Sequence, residues 1–379
     1  MKISYDGKRA FHNFRGLGHF SRTLIKGMIK YYPDNEYSAF TPVLKDERAI
    51  RWKNETPELK VIEPENIVSK SLSTLWRSVF LSGLIRKINP DIYHGLSHEL
   101  PPGISSLRGK SIVTIHDLLF LRFPEFFPYI DRAVYKKKFS YSCSHADKVL
   151  AICNQTKKDL IELLGVPQEK IEVVYQSCDP IFYTKLSNDE KKELQKKLQL
   201  PDKYILSVGA LEPNKNILNL LKAYIKGEFK KTHSLVIVGK GKKYKKILEE
   251  VISQHSIQSN VFFYEDVAQE HLPGVYSNAD LFVFPSFFEG FGRPIVEALF
   301  SGVPVITSKG SCFPEAGGEK TIYVDPHSPL ELEAAMKSVL TSSHLREEMI
   351  EHGKNYCQKF HLKNTSKNLM EVYRSVVSN

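Results

Sequence analysis

Residues Leu281 to Glu315, LFVFPSFFEGFGRPIVEALFSGVPVITSKGSCFPE, constrain the fold more than any other stretch of the chain. Leu281–Phe284 is a short apolar run suited to a strand buried on both faces. Pro285 and Ser286 end it, and the glycine-punctuated loop Glu289-Gly290-Phe291-Gly292 follows. Pro294 then opens a helix at a position where a missing N–H costs nothing. Ile295, Val296, Ala298 and Leu299 give that helix an apolar side, Gly302 closes it, and Val303–Thr307 reads as a second buried strand. Strand, loop, helix and strand predict a right-handed βαβ unit. Open α/β sheets bind ligands beyond the carboxyl ends of their strands, which is where this loop falls.

Two carboxylates bracket the loop, Glu289 within it and Glu297 about one turn inside the helix, so both can face one crevice. Small residues let backbone N–H groups approach a ligand, and a helix start favours anionic oxygen. Carboxylates there suit a polyhydroxylated ligand, since each accepts hydroxyl protons. The plainer alternative is a helix-dipole carboxylate beside a solvated glutamate. The surrounding strand, glycine loop, proline and second strand favour the ligand site. This stretch resembles the glutamate–seven residues–glutamate motif of the retaining, nucleotide-sugar-dependent family-4 glycosyltransferases of the GT-B fold. The resemblance implies that Glu289 contacts the donor sugar's hydroxyls and Glu297 those of the ribose. It places the amides of Gly290 and Phe291, with Gly292 beside them, close to the donor.

At 379 residues the chain has room for two domains, and 42% hydrophobic with 25% charged residues lets each bury a core. The opening MKISYDGKRAF lacks the apolar core of a signal peptide, and no window approaches the ~18 apolar residues of a membrane span. Cys143, Cys153, Cys178, Cys312 and Cys357 are odd in number, without CxxC spacing, and read as reduced core residues. A cytoplasmic protein, working at the inner face of the plasma membrane, is expected. The formal charge of +10 is uneven: residues 1–185 hold 28 Lys+Arg against 20 Asp+Glu, and the remainder 25 against 23. The first half therefore favours anionic partners, such as a phospholipid surface, a pyrophosphate-linked acceptor or nucleic acid.

In the first half Lys2–Ser4 reads as a strand, and a glycine-rich loop leads through Arg15-Gly16-Leu17-Gly18 into an amphipathic helix carrying Phe20, Leu24, Ile25, Met28 and Ile29. The family likeness puts Gly16 and Gly18 near donor phosphate and acceptor, with Arg15 on the acceptor side. Residues 33–70 read as short strands and loops. Leu72–Ile88 has helical spacing with basic residues beside it, and covers either a sheet or a membrane. Asp91–His94 and Ser111–His116 read as strands. His116-Asp117 ends the second, and the resemblance puts His116 beside the donor sugar, hydrogen-bonded to a hydroxyl. FPEFFPYIDRAVYKKK, residues 123–138, mixes aromatics with Arg132, Lys136, Lys137 and Lys138. It suits an acceptor or anionic-membrane face, with single-stranded nucleic acid the weakest choice. Asp147–Ile152 and Ile171–Tyr175 complete the strands, and Asn154 is placed as N-cap of the helix between them.

The polar run Thr184–Leu200 marks the expected domain change: residues 1–184 form an acceptor-side Rossmann-like domain, 185–360 a nucleotide-sugar-binding one, and 361–379 a helix returning to the first. Tyr204–Val208 leads into Gly209-Ala210-Leu211-Glu212-Pro213-Asn214-Lys215-Asn216 and a helix from Ile217. This resembles the family's phosphate loop, in which Lys215 would hold the diphosphate and neutralise the departing nucleotide. Where the family often has arginine before that lysine, this chain has Asn214. Val261–Tyr264 is a strand, and Glu265-Asp266-Val267 takes the place that borders the nucleobase in the family.

The fold expected is α/β of the GT-B kind, two Rossmann-like domains facing a central cleft whose closure excludes water. No DxD motif or His/Cys cluster occurs, so leaving-group charge falls to Lys215, loop amides and helix dipoles, without metal. The family implies front-face transfer with retention, the leaving phosphate acting as base. GDP-mannose is the first choice of donor and a UDP-hexose the second, with a glycan or lipid-linked glycan acceptor in surface polysaccharide assembly. A GT-B sugar-nucleotide epimerase and a non-catalytic basic binding protein are the rivals.

Overall fold

The computed structural model describes residues 1–64 and 81–378. The chain divides into two compact units, Met1–Ser177 with Phe360–Asn379, and Cys178–Lys359. Among the described residues the first unit has seven strands: β1 (Lys2–Asp6), β2 (Glu36–Phe40), β3 (Leu59–Ile62), β4 (Ile92–Gly95), β5 (Lys110–Ile115), β6 (Lys148–Ala151) and β7 (Ile171–Val173). They pair in parallel in the order β3-β2-β1-β4-β5-β6-β7. The chain leaves β1 toward β2 and β3, then returns to β4 on the other side of β1. The order reverses there, and loops at such a reversal diverge to open a crevice.

Neighbouring residues of each strand face opposite ways, which is why these strands read as continuous apolar runs. Ile92 and Ile112 join a core with the helix Gly16–Tyr31 and the helix Leu362–Ser378. Tyr93 and Val113 face a second core containing Leu81, Ile85, Phe139 and Leu160. Of the helix expected over Leu72–Ile88, Leu81–Ile88 is helical and residues 72–80 lie outside the described residues. Glu47–Asn54, within a stretch expected to hold only strands and loops, is a helix. Asp46 caps it, and only Ala49 and Trp52 are buried, too few apolar positions to show a period. The cap of the helix Asn154–Leu164 is Cys153, whose Sγ accepts from the Thr156 amide, so Asn154 is its first helical residue and not its cap.

Residues 360–378 belong with the first unit. Leu369, Met370, Tyr373 and Val376 lie in its core, and Tyr373 Oη is 2.7 Å from Nδ1 of the wholly buried His94. Thr114 Oγ1 lies 2.7 Å from the other ring nitrogen. Burial pushes His94 down to about 3 and His116 down to about 4, so both rings are neutral in the folded chain near neutral pH. Unfolding returns them to about 6.5, so the unfolded chain binds more protons between these values. The associated stability is full above about pH 6.5 and is lost as pH falls towards 4. Its slope is about 1.4 kcal/mol per histidine for each pH unit. Melting temperature is expected to fall between about pH 7 and about pH 5, and to fall less in His116→Asn. Equal falls in the two proteins would exclude His116 as a source of the acid sensitivity.

The second unit has six parallel strands: β8 (Tyr204–Val208), β9 (Ser234–Val238), β10 (Val261–Tyr264), β11 (Leu281–Phe284), β12 (Val305–Ser308) and β13 (Ile322–Val324), in the order β10-β9-β8-β11-β12-β13. Its order reverses between β8 and β11. The unit begins at Cys178, earlier than the expected change at 184/185, because Phe182 packs its ring on Tyr276 and Tyr183 packs on Phe300. The polar run after it is the helix Asn188–Leu198, started by a capping box of Ser187 and Glu190. All five cysteines are buried and free of disulfides.

Candidate functional site

The two loops singled out in the second half of the sequence leave the carboxyl ends of β8 and β11, the adjacent strands at which the sheet order reverses. After β8 the chain passes Gly209 and makes a single 3-10 turn, Pro213–Lys215. Asn216 follows in the left-handed conformation, φ 58°, and the helix Ile217–Lys226 begins. Asparagine tolerates that conformation better than most residues. Its buried side-chain amide donates to the carbonyls of Pro285, at 2.9 Å, and Pro326, at 2.7 Å. The Phe287 amide in turn donates to the Asn214 carbonyl at 2.9 Å. One side chain thereby joins this turn to two loops that lie 69 and 110 residues further along the chain.

The joint brings Lys215 to Glu289. Lys215 Nζ lies 2.5 Å from Glu289 Oε1, and the two side chains are only 16% and 15% exposed, so solvent screens the pair little. The Lys215 ammonium also lies 5.5 Å from the centroid of the Phe284 ring. Glu289 is held by its backbone as well, its carbonyl accepting from Cys312 Sγ. Gly292, φ 91°, turns the chain into the helix Arg293–Phe300, a conformation that would strain any residue with a Cβ. Phe291 turns its ring into the core, so the loop can present only backbone there.

Glu297 lies one turn into that helix and is buried. Its Oε2 accepts from Tyr276 Oη at 3.0 Å, and its Oε1 lies 3.0 Å from Arg293 Nε. Each oxygen retains a lone pair for a further donor. The i,i+4 spacing of Arg293 and Glu297 was legible in sequence, whereas Tyr276, 21 residues upstream, gave no signal. Asn216 reads in sequence only as the last residue of the lysine turn, because its partners Pro285 and Pro326 are distant in the chain.

The edge of the site beyond β8 is built by close backbone contact. Gly209 N donates to Val238 O at 2.9 Å, and a Cβ on Gly239 would lie 1.8 Å from the Gly209 carbonyl oxygen. Val267, half-buried, follows β10 two strands away along the same carboxyl edge. The segment before it carries two surface ion pairs, Lys240 with Asp266 and Lys245 with Glu265.

The remaining candidates lie in the first unit. His116 follows β5 and is buried, its Nε2–H donating to the Leu96 carbonyl at 2.9 Å. The ring meets Phe20 edge-on at 4.5 Å. Burial is the main cause of its lowered pKa, the Leu96 carbonyl opposing it and Arg9 adding to it. The neutral ring therefore offers Nδ1 as an acceptor. Gly16 and Gly18 open the helix Gly16–Tyr31 behind the exposed Arg15. They differ in kind. A Cβ on Gly16 would meet nothing within 4 Å, whereas one on Gly18 would lie 1.6 Å from the Asn13 carbonyl. Packing of the preceding turn is thus reason enough for glycine at 18. Arg132 and Lys136 lie on another helix, Tyr129–His145, and among the described residues no hydrogen bond or ion pair joins them to His116 or Arg15.

Chemically, the second-unit site offers the Lys215 ammonium beside Glu289, the Arg293 guanidinium beside Glu297 and a glycine-lined backbone, suited to a ligand with an anionic centre between hydroxyl-bearing parts. Residues 188–356 match the family described as Glycosyl transferases group 1, and residues 20–181 match Glycosyltransferase Family 4. The O-antigen chain mannosyltransferase B of Escherichia coli is 28% identical, over 99% of this chain and 100% of that protein. The O-antigen chain mannosyltransferase RfbU of Salmonella typhimurium is 28% identical, over 68% of this chain and 67% of its own. In fold, the crystal structure of HepE from Anabaena in complex with UDP aligns with a TM-score of 0.76 at 19% identity, covering 99% of this chain and 100% of the other.

Proposed function

Since this chain belongs to the family-4 glycosyltransferases of the GT-B fold, we propose that it is a retaining, metal-independent hexosyltransferase that moves mannose from GDP-mannose. The acceptor is a saccharide or lipid-linked saccharide on the way to a surface polysaccharide, at the cytoplasmic side of the plasma membrane. The observation that carries the reading is the Lys215–Glu289 pair at the reversal of the second sheet. The choice of mannose rests on the two O-antigen chain mannosyltransferases.

In this reading a donor separates the pair. The diphosphate takes Lys215, and the sugar hydroxyls take Glu289. Glu297, already oriented by Tyr276 and Arg293, accepts from the ribose hydroxyls, while the amides about Gly290 and Gly292 face the donor across a loop without side-chain bulk. As the bond to the anomeric carbon breaks, charge grows on the leaving phosphate, and a fixed ammonium stabilises that charge more than the ground state. His116 accepts a hydroxyl proton through Nδ1 and orients the sugar. With asparagine at 214, Lys215 is the one cation of its turn, so most of the leaving-group stabilisation rests on it.

Thermal melts with GDP, UDP, ADP and their sugars, in the presence of a chelator, test the donor. A ligand at ~100 times its Kd stabilises by ~2.7 kcal/mol, or roughly 5–10 °C for a domain of this size. A shift with GDP and GDP-mannose alone is expected. A UDP-only shift would change the donor, and conversion of the UDP-sugar without acceptor would make the protein an epimerase. Absence of any shift, with salt-dependent RNA binding instead, would replace the enzyme by a binding protein. The anomeric configuration of the product, read by NMR, tests retention.

A further inference from the structure

His116, which the proposed function uses through Nδ1, is gripped by the segment that follows β4. The Leu96 carbonyl accepts from its Nε2–H at 2.9 Å, and the His116 backbone amide donates to Nδ1 of His98 at 3.4 Å. The His98 amide donates in turn to the Thr114 carbonyl at 2.8 Å, so the pairing with β5 runs on past the end of β4 at Gly95. At His98 the backbone then enters the left-handed region, φ 65°. This turn lays the half-buried His98 ring almost flat on Phe139, centroids 4.5 Å apart and planes 11° from parallel. The same ring stands edge-on to the His116 imidazole, centroids 5.0 Å apart. Phe20 meets that imidazole edge-on as well, at 4.5 Å. One hydrogen bond and two rings therefore set its orientation.

Seven of the described residues other than glycine have a positive φ. Asn89, Gln199, Glu228 and Ser256 come within two residues of the end of a helix, where a left-handed residue closes the last turn. His98 closes no helix. It follows a strand, at a place where glycine would make the same turn without strain. A strained side chain kept at the mouth of a candidate site marks a ring that does something there. We propose that His98 is a positioning residue for the transfer reaction, holding the His116 imidazole so that its Nδ1 faces a hydroxyl of the transferred sugar. This rests on the role given to His116 under the proposed function. Stacking on Phe139 accounts for an aromatic ring at 98 but not for its nitrogen. That nitrogen is the acceptor for the His116 amide, which phenylalanine would lack. Orientation is worth this strain because a catalytic group misplaced by about 1 Å can cost about 10²-fold in rate.

The test is a double-mutant cycle on the full chain with wild type, His98→Asn, His116→Asn and the double variant. Its readout is release of GDP from GDP-mannose with water as acceptor, or the matching reaction of a UDP-hexose if UDP alone shifts the melt. Asparagine tolerates the left-handed backbone, so His98→Asn removes the ring and keeps the turn. It is expected to lower kcat by about ten-fold or more and to leave KM within about three-fold. In the His116→Asn background the same change should cost less than about three-fold, because His98 acts only through that imidazole. Losses that multiply, or a His98→Asn enzyme within about three-fold of wild type, overturn the proposal. His98→Asn should keep the wild-type nucleotide-induced shift and melt within about 5 °C of wild type. A larger fall assigns the ring to packing alone and also overturns the proposal. Turnover and a nucleotide shift in wild type with an unimpaired His98→Asn reject the role of His98 and leave the enzyme standing. A wild type with neither turnover nor shift rejects the functional reading, and the role of His98 with it.

Discussion

Lys215→Ala is expected to lower kcat/KM for the nucleotide-sugar donor by about 10²–10³-fold, mostly in kcat, with the fold intact. The ammonium lies in a little-exposed position beside Glu289 and passes to the diphosphate when the donor binds, so it already faces the leaving phosphate when charge develops there. No second cation stands beside it in the turn, because residue 214 is asparagine. Lys215→Arg retains the charge on a longer, forked group and should recover only part of the rate. Glu289→Ala should cost a similar factor by loss of the sugar contact. The double variant should be less impaired than the product of the two factors, since both changes break the same pair. Steady-state kinetics of the four proteins decide the matter. Transfer within a few-fold of wild type in both single variants would remove the Lys215–Glu289 pair from the reaction.

Glu297→Ala should act on stability and binding together. It strips Tyr276 Oη and Arg293 Nε of their acceptor in a buried position, each loss worth about 1–3 kcal/mol. Because Arg293 remains partly solvated, a total of about 2–4 kcal/mol is expected, or roughly 5–15 °C in Tm. Nucleotide affinity should fall by at least ten-fold if the carboxylate accepts ribose hydroxyls. Glu297→Gln keeps one acceptor for the Tyr276 hydroxyl, and should regain most of the stability and little of the affinity. Unchanged nucleotide affinity in Glu297→Gln would leave this carboxylate a purely structural role.

The strands of the second unit were the most legible part of the sequence. Tyr204–Val208, Val261–Tyr264 and Leu281–Phe284 fold over the same residues that their apolar runs indicated, because nearly every position of these parallel strands is apolar or aromatic and the flanking residues are polar, Gly or Pro. The loops after them could be placed by their glycines and prolines. Their partnership could not, because Lys215 and Glu289 are 74 residues apart and meet through strand order, which leaves no mark in local periodicity. The same holds for Asn216, whose amide reaches Pro285 and Pro326 only once β8 and β11 are side by side. The helix Glu47–Asn54 and the cysteine cap at 153 were hidden for local reasons: one buries two side chains, and the other uses a thiol where a hydroxyl or amide is usual.

The enclosure of Leu369, Met370 and Tyr373 in the core of the first unit bears on how the chain is made. Residues 178–359 form a contiguous unit whose strands all lie within one uninterrupted span, so it can acquire its structure as soon as that span has left the ribosome. The first unit is synthesised earlier and completed later. Until residues 360–378 emerge, His94 lacks its Tyr373 partner, and one face of the sheet, otherwise covered by the helix Gly16–Tyr31, stays partly open through the synthesis of some 180 further residues. The N-terminal unit is then the one exposed to holdase chaperones and proteases on nascent chains. Shortening the chain before residue 362 prolongs that exposure indefinitely while leaving the other unit whole.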